Sequence, residues 1–408
     1  MLKDILQTVV TRYLVALLNL ALMFVNARVL GVEGVGLIGL IWASVSINVT
    51  VNSIFSGNTL VYFLNKYPIS ILYPTAILWI FAGSAVSCAV LSFSGLLPGG
   101  YALDIYVLTV LYSTGIAHSR LLLGKDCVTG FNITQVLQGG LLFFAAVAFY
   151  YLLHRQDVNA YIWSLYLTNG AAVVVSLLLL LPYLRKAGRG AEETCAGRPE
   201  LLPMLKDMLT YGLWGSADNI AEAFTLRLNY FLVERFAGIS GVGLLDAGTK
   251  VSESVWNISR SIASIEYNRI AKSRDKKEQR RITVKLLRLT FIAVSAMIAC
   301  VMLVPEWVYT DYLFGRDFMG IREVIAALSA GIVAMGCNTI LSHYFIGSGR
   351  VRYSAISSFT GLAALLAAGS ALIPAYGITG SAASQSIAFC IMLLFSLTTF
   401  IRLNSSKK

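Results

Sequence analysis

Apolar runs of about 20 residues, each long enough to cross a bilayer, follow one another from one end of the chain to the other. A soluble helix buries one stripe and solvates the rest, and few of these segments have a polar face to solvate. Of 408 residues, 57% are hydrophobic and 13% charged, against roughly 45–50% and roughly 25% in a soluble domain. Mean hydropathy is +0.72. The chain is therefore expected to be an all-α, polytopic membrane protein with about 12 transmembrane helices. The spans are read at 10–31, 36–62, 72–97, 102–123, 131–153, 160–183, 205–231, 241–265, 284–308, 321–346, 352–373 and 379–401.

The formal net charge of +11 is distributed in a way that decides its meaning. Lys66, Lys125, Arg185, Lys186, Arg189, Arg198 and Lys206 fall in alternate loops, as does the basic run from Arg269 to Lys277. Arg280, Arg281, Lys285, Arg350, Arg352, Arg402, Lys407 and Lys408 continue the pattern. The opposite loops hold little beyond Arg155, Arg235 and Arg316. This asymmetry predicts both termini in the cytoplasm and makes the basic clusters topological determinants, with no nucleic-acid partner expected. No cleavable signal peptide is expected, because the first apolar run is too long and no small-residue cleavage site follows it. The six cysteines, Cys88, Cys127, Cys195, Cys300, Cys337 and Cys390, lack metal-ligand spacing and read as small buried hydrophobes.

The polar, aperiodic stretch 185–204 predicts a cytoplasmic linker. It divides the chain into an N-terminal six-helix lobe, 1–184, and a C-terminal one, 205–408. The halves are related in sequence: Gly31-Val-Glu-Gly-Val-Gly-Leu37 recurs as Gly238-Ile-Ser-Gly-Val-Gly-Leu244, 207 residues later. Both copies lie between the first and second spans of their half, so the repeat is parallel. Gly34-x-Gly36-x-x-Gly39 matches a dinucleotide fingerprint by pattern, but no strand precedes it. Its glycines read instead as a close approach of helix ends.

Ionisable groups inside spans are costly and mark function by default. On the eighth span Asp246, Lys250, Glu253, Asn257 and Arg260 share one face, by their spacing of four, seven, eleven and fourteen residues. Facing lipid would cost about 2.5–3.5 kcal/mol per charge, so the stripe must face a wet cavity or another polar helix. Lys250 lies one turn from both Asp246 and Glu253, whereas Arg260 has no acid one turn before it. The seventh span answers with Asp218, Glu222, Thr225 and Asn229 on one face, Arg227 lying off it. Head-group contacts are expected from Arg260, Lys250, Asn257, Arg28 and Arg227, and ion coupling from Asp218, Glu222, Glu253 and Asp246. Asn19, Asn26, Asn48, Asn52, Gln135, Gln138 and Asn338 read as interhelical hydrogen-bonding groups, and His118 and His343 as structural ones. No P-loop, H-E-x-x-H, G-x-S-x-G or Cys/His cluster is present, and no cofactor, metal or enzymatic activity is expected.

Four local features resemble a known family: Asn26-Ala-Arg-Val-Leu-Gly-Val-Glu-Gly-Val-Gly-Leu37, the stretch Glu234 to Lys250, Gly347-Ser-Gly-Arg-Val-Arg352, and Gly377-Ile-Thr-Gly-Ser-Ala-Ala383. In order and spacing they are similar to the polysaccharide transporter family. These are the Wzx-type O-antigen and lipid-linked oligosaccharide flippases of the MOP (multidrug/oligosaccharidyl-lipid/polysaccharide) exporter superfamily. The family often carries a proline after helix eight, where this chain reads Ile265-Glu-Tyr-Asn268, and Val35 replaces its first-loop aromatic. The resemblance implies two six-helix, MATE-like lobes in a V around a cationic cavity, in the bacterial inner membrane. It implies movement of a polyprenyl-pyrophosphate-linked oligosaccharide from inner to outer leaflet, driven by H+ or Na+, beside glycan polymerase and assembly partners. The alternatives are a multidrug or cation antiporter of the same superfamily, which would favour acids without intramembrane bases, and a membrane-embedded enzyme of envelope synthesis.

Overall fold

The computed structural model describes residues 2–64, 66–125, 127–193, 201–272 and 275–405. No strand occurs among them. Among the described residues, seven helices are long and apolar enough to span by length and composition alone. Two of these, Leu14–Phe63 and Val351–Ser405, are each broken by a glycine, at Gly31 and Gly377, and so hold two spans apiece. Ala102–Gly124 and the two arms of Leu201–Lys272 on either side of Gly238 complete twelve among the described residues. We number them α1 (2–30), α2 (32–56), α3 (Ile69–Phe93), α4 (Ala102–Gly124), α5 (Thr129–Leu152) and α6 (Val158–Glu193). The remainder are α7 (201–237), α8 (239–272), α9 (Lys276–Leu303), α10 (Ile321–Gly347), α11 (351–376) and α12 (378–405). The helices that fall short on composition include α7 and α8, which carry the charged stripes.

The chain divides into two compact units, Met1–Leu30 with Leu40–Ala217 and Gly31–Gly39 with Asp218–Lys408. Of the stretch expected as a linker, residues 194–200 lie outside the described residues, while 185–193 prolong α6. The Ala, Arg, Lys and Glu residues in that stretch are good helix formers.

Where a loop is expected between α1 and α2, and again between α7 and α8, a single residue makes the joint. Gly31 (φ 65°, ψ −175°) and Gly238 (φ 71°, ψ −178°) take the same conformation, one that is essentially restricted to glycine. The repeated motif then packs on its own copy inside the second unit. A Cβ on Gly36 would collide with the Ile239 carbonyl, and one on Gly243 with the Val32 carbonyl. Each contact maps onto the other by the 207-residue offset, so the sequence repeat is also a local structural exchange.

Within each unit, buried side chains tie the helices together where the hydrophobic effect gives no drive between them. In the first unit Asn52 Nδ2 donates to Ser84 Oγ and Ser113 Oγ, both at 2.9 Å. Asn48 Nδ2 donates to Cys88 Sγ at 3.1 Å, and Tyr150 donates to Asn26 Oδ1 at 2.9 Å. His118 sits between Tyr73 (3.1 Å) and Ser176 (2.8 Å). In the second unit Asn338 Oδ1 accepts from Ser396 (2.7 Å) and Ser357 (3.3 Å). Each such bond contributes about 1 kcal/mol.

Candidate functional site: the charged cluster of α7 and α8

Helices α7 and α8 are joined at Gly238 and fold back on each other, which brings their charged stripes face to face in the second unit. Glu222 of α7 reaches Arg260 of α8 at 3.9 Å, and Arg227 Nη2 reaches Glu253 Oε1 at 3.6 Å. Tyr230 of α7 donates to Asp246 Oδ1 at 3.0 Å, while Lys250 donates to the other oxygen of the same carboxylate at 2.6 Å. Arg227 Nη1 also donates to the Tyr230 hydroxyl at 3.1 Å. The result is a chain of alternating charge along the seam, and it is graded: Asp246 is 2% exposed, Lys250 33% and Arg260 52%.

Arg227, placed off the polar face by spacing, nonetheless joins the seam, because its side chain is long enough to reach Glu253 from the flank. At 3.6 Å that pair is an ion pair without a hydrogen bond, and Glu253 Oε1 has no other donor. Lys250, one turn from two acids, resolves to Asp246. The α7 stripe itself splits. Asp218 turns to α11, accepting from Ser354 (2.6 Å) and Ser358 (2.5 Å), and Asn229 Nδ2 turns to α12, donating to the Ser381 carbonyl at 3.2 Å. A face defined by steps of four, three and four residues is broad enough to touch three neighbours. Thr225 bonds its own helix at Ala221.

Arg260 is held differently from the other bases. Its guanidinium lies over the Trp256 ring at 3.8 Å from the centroid, a cation–π contact. Trp256 is itself buried and fixed by donating Nε1–H to Thr339 Oγ1 of α10 at 2.8 Å. His343, one turn further along α10, donates Nδ1–H to the Thr339 carbonyl (2.9 Å) and lies near the charges of Asp218 and Arg260. Asn257 is exposed beside Arg260. Arg28 belongs to the first unit and is exposed there. The cluster thus contains four carboxylates (Asp218, Glu222, Asp246, Glu253) and three cations (Arg227, Lys250, Arg260), which is close to neutral instead of strongly cationic.

Tyr230, Trp256, Ser354 and Ser358 complete the site and were not singled out by sequence. Trp256 could have been, since it stands one turn before Arg260 on the same face. The serines carry no signal, because a serine in a span is common and only the fold brings these two to Asp218.

Residues 194–323 match the polysaccharide biosynthesis protein family. A comparison with curated proteins finds no match in sequence. Among solved structures, the chain is similar to an inward-facing multidrug resistance MATE family transporter of the MOP superfamily. That match has a TM-score of 0.73 at 13% identity, over 97% of this chain and 96% of the other. It is equally similar to the lipid II flippase MurJ in an inward closed conformation, with TM-score 0.73 at 10% identity, covering 98% and 87%. A MOP superfamily transporter from Pyrococcus furiosus, described as having a binding pocket of reverse polarity, matches at TM-score 0.58 and 16% identity over 99% and 95%. Residues 194–323 are thus similar in sequence to a polysaccharide biosynthesis family, and the whole chain shares the fold of MATE and MurJ transporters.

Proposed function

We propose that the protein flips a polyprenyl-pyrophosphate-linked oligosaccharide from the inner to the outer leaflet of a bacterial cytoplasmic membrane, by alternating access and without catalysing a covalent reaction. The observation that carries this reading is Arg260: a half-exposed intramembrane guanidinium, pre-positioned on Trp256, whose acidic partner stands off at 3.9 Å. A guanidinium presents a planar fork that matches phosphate oxygens. A diphosphate offers it a closer and more highly charged partner than Glu222 does. The lipid tail can stay in the bilayer while the glycan crosses a wet path.

The neutral balance of the cluster supplies a coupling mechanism. When the diphosphate takes Arg260, Glu222 loses its cation and a carboxylate in a partly dehydrated site is left uncompensated. It then binds H+ or Na+, so anionic substrate and cation bind cooperatively. A multidrug antiporter built on acids alone would have no use for Arg260 on its tryptophan.

Deleting the gene and identifying the lipid that accumulates tests the proposal. The expected result is a polyprenyl-diphosphate oligosaccharide trapped in the inner leaflet, together with loss of surface glycan; the glycan polymerase and assembly proteins would then lack substrate. Unchanged lipid-linked intermediates with altered drug sensitivity would establish the antiporter reading in its place.

A further inference from the structure

The charged cluster accounts for every acid on α8 except Glu266. This residue stands one position beyond the span expected to end at 265. It is fully buried, and neither carboxylate oxygen has a hydrogen-bond partner. Ser259 and Ser252 precede it at seven-residue intervals, hence on the same face, and both are fully buried with unpartnered hydroxyls. On α9, Thr283 and Thr290 repeat the same interval and are fully buried too. Thr283 lies beside the Glu266 carboxyl, and Gln279 Nε2 ties the same end of α9 to the Ile270 carbonyl at 3.2 Å.

The chemistry of this contact is selective. The Thr283 hydroxyl spends its proton on the Gln279 carbonyl at 2.9 Å, so what remains for Glu266 is an oxygen that accepts. An ionised carboxylate would need donors here, whereas a protonated one needs a single acceptor. Nor does a cation compensate among the described residues. Lys276, Lys277, Glu278, Arg280, Arg281 and Lys285 of α9 are exposed, and among the described residues no ion pair joins them to Glu266. On α10, His343 lies near Asp218 and Arg260, and Arg269 of α8 is exposed. Burial of a carboxyl without a cation favours its neutral form, and pushes Glu266 up to about 8.

We propose that Glu266 is a proton-binding site that latches α8 to α9. With its proton, the carboxyl donates to Thr283 and the seam stays closed; without it, an uncompensated charge forces the seam to open to water.

The test is the thermal unfolding midpoint of the purified full-length protein in detergent, measured across pH for the natural chain and for Glu266→Gln. The native state keeps this proton up to about pH 8, while the unfolded chain releases it near the ordinary carboxylate value of 4.5. The native state therefore binds more protons between those limits, and stability falls as pH rises through that window, then levels off above it. The natural chain should lose a few degrees across the window; Glu266→Gln should lose that part of the slope and be the more stable variant above pH 8. In parallel, the infrared band of a protonated carboxyl should be present at neutral pH, vanish above about pH 8, and be missing from Glu266→Gln. Should that variant not fold, Thr283→Val decides: it removes the acceptor, and the band should move to higher frequency. Superimposable pH profiles, no band at neutral pH, or a band indifferent to Thr283→Val would overturn the assignment. None of these readouts depends on what the protein transports.

Discussion

Arg260 rests over Trp256 with its guanidinium 3.8 Å from the ring centroid, and this contact fixes a charge that Glu222 alone, at 3.9 Å, would hold loosely. Arg260→Ala is expected to abolish surface glycan while membrane abundance stays normal, because the side chain is half exposed and Trp256 keeps its own bond to Thr339. Charge-assisted bonds contribute about 1.5–3 kcal/mol each, so apparent affinity for the diphosphate lipid should fall by about 10- to 100-fold per bond lost. Arg260→Lys keeps the charge without the fork and should recover only part. Quantitative glycan blotting against tagged protein levels checks both.

Glu222→Gln separates binding from coupling. Arg260 loses its internal rival, so the substrate lipid should bind at least as tightly as before. Flipping in proteoliposomes should cease to respond to an imposed H+ or Na+ gradient. If the gradient response survives intact, Glu222 is not the coupling group.

Lys250→Ala strikes folding before transport. Asp246 is 2% exposed and would keep only the Tyr230 hydroxyl as a donor. Breaking a buried pair costs about 3–5 kcal/mol, and the one-third exposure of Lys250 puts this case at or below the low end. The double variant Lys250→Ala/Asp246→Asn removes the stranded charge and should restore abundance in the membrane. Fluorescence size-exclusion profiles of the two variants make the comparison.

Gly36→Ala and Gly243→Ala each drive a methyl group into a backbone carbonyl, which cannot rotate away as a side chain would. Gly238→Ala adds strain of about 1–3 kcal/mol from its left-handed φ. All three should lower yield and thermal stability in detergent. Gly99→Ala, which meets nothing within 4 Å, should be silent.

The membrane class and the twelve spans were readable because a 20-residue apolar run has few other folds open to it. The repeat was readable because the same glycines recur for the same steric reason. Spacing alone could say that the stripes of α7 and α8 meet, and they do. It could not say that Asp218 belongs to two serines of α11, or that Arg227 reaches in from the flank. Those outcomes depend on rotamer length and on which third helix packs nearby, neither of which is local. Nothing local marks Glu266 either, since a carboxylate near the end of a span is ordinarily solvated.

The reciprocal packing of the two glycine motifs has a consequence for biosynthesis. Residues 31–39 leave the ribosome about two hundred residues before the segment they pack against, in a process that adds roughly 5–20 residues per second. For that interval the joint between α1 and α2 must wait without the segment that covers its glycine backbone, and no order of insertion avoids the delay. The early half is therefore a natural client for membrane chaperones, and a truncated chain ending after α6 would be expected to stay bound to one.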